Sequence, residues 1–517
     1  MGLSRVWSTT DKDGPTSHIN EKGIGWIIGA IFIIGETAGG GMIALSYALT
    51  SMGLVPGLIL LILCSVFSLY TALELCWTWK IMQNRWPEYR DHCRKPYGEM
   101  AYRTIGRKMR SFIAFMICIT QIGFATVLVL LAAKNLSILL HFFFHLDINQ
   151  CYLILIVGLA VWPATMLPSP MHFWQAALFS AGSSTLAVIL VVVGLAHDAP
   201  VCSQEAPHDE PNLMKAFMAF GTFVFAFGGH ATLPTIQHDM KKPAHFVHSV
   251  VLAIICKCLD RNYYFCTILY LCIAVGGYFV YGSTVGEAII PSLQIKWIQQ
   301  TVNLMIAVHV ITTIVIVMSP PIQQVEALLK VPHRFGVKRF LVRSVLFWFV
   351  IFIGLTIPHF GPVLDLVSSS LKHRTISIFK IGASTMVLMT LILPPIFYLS
   401  IRTQEVIWLE GNEKSDEAEP IHERATLKEI LRITPKAILA LNAAVLIFGI
   451  IGGTLSTITS IIRLADSDMA APCYWQYFTK GLPFSGDNIG SVSCCGTFRN
   501  LTVSGQDPIG YCSNPDF

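Results

Sequence analysis

The chain has 517 residues, of which 54% are hydrophobic and 13% charged, with a formal net charge of +5. Soluble domains carry about 25% charged residues, so this composition excludes a string of ordinary soluble domains. Its basic residues are spread over many segments, which leaves no footprint for nucleic acid and makes the lipid bilayer the expected surroundings.

The first 22 residues, MGLSRVWSTTDKDGPTSHINEK, are polar and lack the apolar core of a secretory signal. The first apolar run is therefore expected to act as an uncleaved insertion signal. A spanning helix needs about 20 mostly apolar residues, because lipid satisfies no bare backbone group. Eleven segments qualify: 24–48, 54–78, 111–133, 151–168, 173–196, 213–236, 247–280, 300–327, 341–357, 363–399 and 437–462. This reads as an all-α membrane protein with a tail at 1–23, a transmembrane domain at 24–463 and a second tail at 464–517.

Charge bias sets the orientation. With the N-terminus inside, the inner segments hold 25 of the 36 Lys and Arg, nine of them in 80–110. The opposite loop 197–212 has none and carries Asp198, Glu205, Asp209 and Glu210. The C-terminal tail then lies outside or in a lumen. Its Cys473, Cys494, Cys495 and Cys512, with the sequon Asn500-Leu501-Thr502, suit an oxidising compartment and a glycoprotein. Four cysteines allow three pairings, and Cys202 is a further candidate.

Two spans are interrupted by glycine. The first carries Gly35-Glu36-Thr37-Ala38-Gly39-Gly40-Gly41, and the sixth carries Phe227-Gly228-Gly229-His230 followed by Pro234. Each Gly costs about 1 kcal/mol relative to Ala in a helix, so both segments are expected to unwind at mid-membrane. Four uninterrupted spans separate them, the pattern of an inverted five-plus-five repeat. Half-helix N-termini after the breaks offer N–H groups to a carboxylate, and carbonyls before them offer oxygens to a cation or an ammonium. The blander alternative is that these are packing glycines, common in membrane helices.

A charge at membrane depth marks function. Glu36 is a candidate to bind a coupling cation, carry a proton or pair with a substrate ammonium, the alternative being a hydrogen bond to freed backbone. Glu74 reads as structural. His230 is a core histidine or a gating and pH-sensing group. Gln121, Thr312, Thr313, Ser384 and Thr385 are candidates to line a cavity or to join helices. No phosphate-binding loop or HExxH zinc pattern is present, so neither an enzyme, a metal nor a cofactor is expected.

The runs GETAGGGMIALSYAL (35–49) and FGTFVFAFGGHATLPTIQHDMKKPAHF (220–246) resemble the amino acid/auxin permease family, as do Pro96-Tyr97-Gly98-Glu99, GGYFVYG (276–282), PHFGPVLDLV (358–367) and LPPIFYL (393–399). The similarity covers roughly 22–462. It implies a LeuT-like fold of eleven helices with broken first and sixth helices, and amino acid transport coupled to protons or sodium. By resemblance, Thr37, Ala38, Gly39, Gly40 and Gly41, with Phe225, Phe227, Gly228 and Gly229, would contact substrate. Glu36 and His230 would serve ion coupling or gating. The plasma membrane and lysosomal, vacuolar or vesicular membranes all remain open, as do protein partners. Many relatives carry Asn near the position of Glu36 and Pro at that of Ser46, which puts the usual ion or substrate contact in question.

Two segments lack family counterparts. CKCLDRNYYFC (256–266) brings Lys257, Asp260 and Arg261 into the seventh span, and SSSLKHRTISIFKI (368–381) brings Lys372, Arg374 and Lys380 into the tenth. Each charge at a helix centre costs about 2.5–3.5 kcal/mol. Both are expected to be translated introns, absent from the spliced transcript; if they are retained, the seventh and tenth helices must be remodelled. The leading reading is a coupled amino acid transporter working by alternating access, with Phe223, Phe225, Phe227 and the glycines favouring a small or medium neutral side chain. The alternative is a transport-inactive amino acid sensor or scaffold of the same fold, signalling through 400–436.

Overall fold

The computed structural model describes residues 19–21, 23–37, 39–90, 93–167, 174–206, 208, 210, 213–254, 256–258, 261–263, 265–286, 288–332, 334, 336–357, 382–412, 424–466 and 472–476. Almost every described element is a helix, since only helices close their own backbone hydrogen bonds in an apolar medium. The first span is built from α1 (Trp26–Thr37), α2 (Gly40–Ile43) and α3 (Leu45–Met52). There follow α4 (Leu54–Arg85), the short α5 (Pro96–Thr104), α6 (Arg107–Phe144), α7 (Gln150–Val161) with a 3-10 extension Trp162–Met166, and α8 (Trp174–Cys202). The sixth span divides into α9 (Leu213–Ala226) and α10 (Leu233–His238). The seventh comprises α11 (Phe246–Ile254) and α12 (Phe265–Tyr281), the eighth is α13 (Lys296–Leu328) and the ninth α14 (Val337–Thr356). The tenth runs from α15 (Gly382–Val387) through a π turn, Leu388–Ile392, into α16 (Leu393–Asn412). After α17 (Leu427–Ile433), the eleventh span is α18 (Lys436–Asp466), and α19 (Cys473–Gln476) follows.

Among the described residues, eight helices are individually long and apolar enough to cross a membrane. The first, fourth and sixth spans are assembled from shorter pieces, which restores the eleven expected from the sequence. At the centre, α13 packs along α6 and α8, and these helices enclose most of the buried apolar residues from 122 to 133 and from 302 to 318. α18 lies at the periphery, with Ile447, Ile450 and Ile451 exposed as a lipid-facing stripe.

The seventh span leaves helical geometry at the polar insert. β1 (Cys256–Cys258) and β2 (Arg261–Tyr263) pair antiparallel, with Cys256 opposite Tyr263 and Cys258 opposite Arg261. The hairpin closes backbone hydrogen bonds that the interrupted helix no longer can. The second insert, 368–381, lies outside the described residues.

The loops sort onto two faces. On one, Ile24 bridges Met240, the Cys93 N–H donates to His238 Nε2 at 2.9 Å, and Arg94 Nη1 donates to the Val331 carbonyl at 2.9 Å. On the other, Asp198 of α8 accepts from Tyr281 Oη at 2.5 Å and from the Gln294 N–H at 3.0 Å. Cys151, at the start of α7, forms a disulfide with Cys473. Cys473 was one of the expected tail cysteines, whereas Cys151 opens an apolar run and gave no such signal. The bond ties the second tail to the loop before α7, so both lie on one face, as the charge bias requires. Cys202 is also disulfide-bonded. Cys494, Cys495, Cys512 and Asn500 lie outside the described residues. Asn135, which opens a second sequon, Asn135-Leu136-Ser137, is buried within α6.

Candidate functional site

Both glycine-rich segments break their helices. α1 ends at Thr37 and helix resumes at Gly40; α9 ends at Ala226 and helix resumes at Leu233. Gly229 takes φ +122, a left-handed conformation that side chains disfavour. Ala38 lies outside the described residues.

The two breaks are tied to each other. The Thr232 hydroxyl donates to Glu36 Oε2 across them. Tyr270 of α12 brings its hydroxyl to 2.7 Å from the Thr37 carbonyl and 3.3 Å from that of Ala226, the last residues of α1 and α9. A Cβ at Gly41 would stand 2.6 Å from Ala226 Cα, and one at Gly229 would stand 3.3 Å from Thr37 Cγ2 and 3.6 Å from Glu36 Cδ. Glycine at 41 lets the two broken helices touch backbone to backbone, while Gly229 faces the side chains of Thr37 and Glu36.

Glu36 is buried. Gln121 of α6 stands beside its carboxylate. Glu36 Oε1 and Gln121 Nε2 nonetheless have no hydrogen-bond partner among the described residues. An unpartnered carboxylate oxygen in a dry interior is costly. It is a ready seat for a proton or for a cationic group brought in by a substrate. Around the second break, Phe225 meets Phe124 of α6 edge-on at 5.3 Å and Phe227 meets Tyr270 at 5.3 Å. Met386 Sδ would lie 3.7 Å from a Cβ on Gly228. The surroundings of the two breaks are thus aromatic and thioether, with polar atoms supplied by Glu36, Gln121, Thr232 and the broken backbone.

His230 turns away from Glu36 toward α4, where Nε2 lies 3.0 Å from the Ser68 carbonyl and 3.1 Å from Thr71 Oγ1. Phe223 is fully buried. His309 of α13, which no sequence motif marks, also sits against the first break. Nε2 of His309 lies 2.4 Å from where a Cβ on Gly39 would be. The available signal was an ionisable residue inside an apolar span, one helical turn before the already noted Thr313.

A family model described as transmembrane amino acid transporter protein matches residues 22–439. The chain belongs to this family. Amino acid transporter AVT1B of Arabidopsis thaliana is 27% identical over 382 residues, covering 71% of this chain and 63% of that protein. Lysine histidine transporter-like 1 of the same plant is 24% identical over 371 residues, covering 68% of this chain and 77% of that protein. Vacuolar amino acid transporter 4 of Saccharomyces cerevisiae is 26% identical over 250 residues, covering 46% of this chain and 32% of that protein. The chain thus spans less than two thirds of the length of AVT1B. Among solved structures, Mhp1, a nucleobase-cation-symport-1 family transporter in a closed conformation with bromovinylhydantoin bound, aligns with a TM-score of 0.53 at 9% identity, over 87% of this chain and 95% of that one. The fold of this family member is accordingly LeuT-like, with the broken first and sixth helices its sequence implies.

Within that fold, the Tyr270 tie has a measurable worth. Removing a donor from a buried carbonyl costs about 1–3 kcal/mol. Tyr270→Phe is therefore expected to lower the thermal unfolding midpoint of the detergent-solubilised protein. A midpoint equal to the parent's would show that the bond between the breaks carries nothing.

Proposed function

We propose that the chain is a secondary active transporter that moves amino acids across a membrane by alternating access. The observation that carries this reading is the unpartnered Glu36 carboxylate oxygen between two broken helices that the Thr232 and Tyr270 bonds hold together. A zwitterion needs one anionic and one cationic partner a few ångströms apart. Glu36 and the carbonyl ends of α1 and α9 suit the ammonium, and N–H groups after the breaks suit the carboxylate. Phe124, Phe225, Phe227 and Met386 favour a neutral side chain of small or medium size. Relatives named as amino acid transporters support an amino acid as the cargo.

Coupling to protons or sodium supplies the driving force. The bias of Lys and Arg to one face supports a cytosolic N-terminus and an extracellular or lumenal C-terminal tail. The vacuolar relative favours an internal membrane. The test is uptake of a tritiated mixture of neutral L-amino acids into proteoliposomes, with imposed proton and sodium gradients. Accumulation above the equilibrated level under one of the gradients is expected. Saturable binding with no uptake under either would replace the transporter by a sensor.

A further inference from the structure

Glu74 is a second buried carboxylate, and the substrate site does not use it. It lies past the middle of α4 and is fully buried. Both its oxygens, Oε1 and Oε2, have no hydrogen-bond partner among the described residues, and neither has Oδ1 of Asn442 on α18. Tyr70, one turn before Glu74, and Asn442 stand beside the carboxylate. These two join the second span to the eleventh, with Asn442 Nδ2 donating to Tyr70 Oη at 2.9 Å. Phe67 and Phe448 close the same seam edge-on at 5.0 Å.

The protons of this cluster can be counted. The Asn442 amide has two, and they go to Tyr70 Oη and, at 3.0 Å, to the Ile438 carbonyl. That carbonyl only accepts, so the amide cannot be turned over. The phenol proton of Tyr70 is the one left uncommitted. An ionised Glu74 would leave three acceptor oxygens to share it, which is costly away from water. A proton on Glu74 turns one of the three into a donor. Two donors then meet two acceptors, and the count closes.

No cation takes the place of that proton. Among the described residues, Glu74 pairs with no Lys, Arg or His. On α16, the Tyr398 ring lies 5.5 Å from Trp77, and Arg402 pairs with Glu405. On α5, Tyr97 donates to the Met389 carbonyl of the π turn and Arg103 pairs with Glu88. Toward α10 and α11, His230 meets Ser68 and Thr71, His238 accepts from Cys93, and His245 and His248 face each other. Lys215 opens α9, at the end away from the break. α3 and α12 meet α4 at Gly57 and Ser65, roughly 13 Å or more from Glu74 along the helix. Lys80 of α4 and Lys436 of α18 are each six residues, roughly 9 Å, from Glu74 and Asn442.

α4 also carries the second half of the broken sixth span. Gln237 Nε2 donates to the Cys76 carbonyl at 3.0 Å, and His230 Nε2 lies 3.0 Å from the Ser68 carbonyl. α4 is thus a layer between a helix break and the eleventh span. Loss of the Glu74 proton sets a negative charge beside the unpaired Asn442 oxygen. The seam between α4 and α18 then loosens, and the seat of α10 loosens with it.

We propose that Glu74 is a proton-binding site apart from the substrate site: its bound proton locks the second span to the eleventh, and loss of that proton unlocks them. The proton site stands on the geometry alone, and the effect of the lock on transport rests on the transport reading.

The test uses the full chain reconstituted in lipid. Infrared difference spectra of the parent against Glu74→Gln report the site directly. The parent is expected to show the carbonyl stretch of a protonated carboxylic acid at neutral pH, and Glu74→Gln to lack it. Carboxylate bands in its place overturn the proposal. Glu74→Gln keeps a donor and an acceptor without a charge, so it copies the locked state. The lock is read by counterflow of tritiated neutral L-amino acids at equal pH on both sides, where no gradient drives it. Taking the ratio of variant to parent counterflow cancels the titration of other groups. That ratio is expected to rise about tenfold for each pH unit above the midpoint at which the parent's band disappears. A ratio that stays constant as the band disappears overturns the lock. So does a band that persists to the highest pH at which the parent stays monodisperse. A parent without counterflow at neutral pH removes the transport reading, while the spectra still decide the proton site. Should Glu74→Gln fail to fold, Tyr70→Phe decides, because it keeps the acid and removes the phenol donor. The stretch is then expected at higher frequency, and an unmoved stretch overturns the proposal.

Discussion

Glu326→Ala is expected to destabilise the protein by about 3–5 kcal/mol, the cost of stranding buried charge. Glu326, near the end of α13, is fully buried and its Oε1 accepts from Arg339 Nε at 2.9 Å and Arg343 Nε at 2.6 Å, both on α14. The side chains of the two arginines are 7% and 2% exposed, so neither has water to fall back on. Arg343 extends the network by donating from Nη1 to the carbonyls of Thr165 (2.9 Å) and Leu167 (2.5 Å), after α7. One carboxylate thus joins three spans at one face of the bundle. Removing it leaves two guanidinium groups side by side in the interior, repelling each other. The measurement is thermal unfolding of the solubilised protein, followed by the fraction that remains monodisperse after heating. Glu326→Gln keeps an acceptor and loses the charge, so it should fall between alanine and the parent. Replacing all three residues by Leu or Met should cost less than Glu326→Ala alone, since no unpaired charge remains. A Glu326→Ala protein that unfolds with the parent would show that water reaches the arginines.

The parts of this architecture that were legible in the sequence are those whose signal is local. Three consecutive glycines at 39–41 and the pair at 228–229 each weaken a helix within one turn, so the breaks could be placed to within a residue or two. The charge interruption at 256–266 could likewise be read, although that the chain would resolve it as a hairpin could not. What was not legible depends on residues far apart in the chain. Glu36 meets Thr232 across 196 positions, and His309 meets Ser180 across 129. Arg339 and Arg343 counted as loop charges because α14 begins in a basic stretch; only packing against α13 shows that they are buried. Cys151 was passed over for the same reason, since its partner Cys473 lies 322 residues away. Periodicity reports which face of a helix is apolar, but not which polar groups two distant faces will bring together.

The closest approach to backbone in the site gives the second large expected effect, on transport rather than on folding. Gly41→Ala would put a methyl carbon 2.6 Å from Ala226 Cα, 3.0 Å from its Cβ and 3.1 Å from its backbone nitrogen. Carbon atoms in contact prefer about 3.5–4.0 Å, so α2 and α9 must part by about 1 Å. The obstacle is backbone and cannot rotate away as a side-chain tip would. Overpacking of this kind costs about 1–3 kcal/mol. Here the strain falls on the seam that sets Glu36 against Thr232, where a displacement of about 1 Å is worth up to a hundredfold in rate. Gly41→Ala is therefore expected to reduce amino acid uptake more than tenfold, while Gly25→Ala, where a Cβ meets nothing within 4 Å, should stay within about twofold of the parent. The double variant Gly41→Ala/Ala226→Gly removes the Cβ clash but not the tighter one with Cα. It should therefore recover only part of the lost uptake, and full recovery would mean that the helices meet through side chains and not through their backbones.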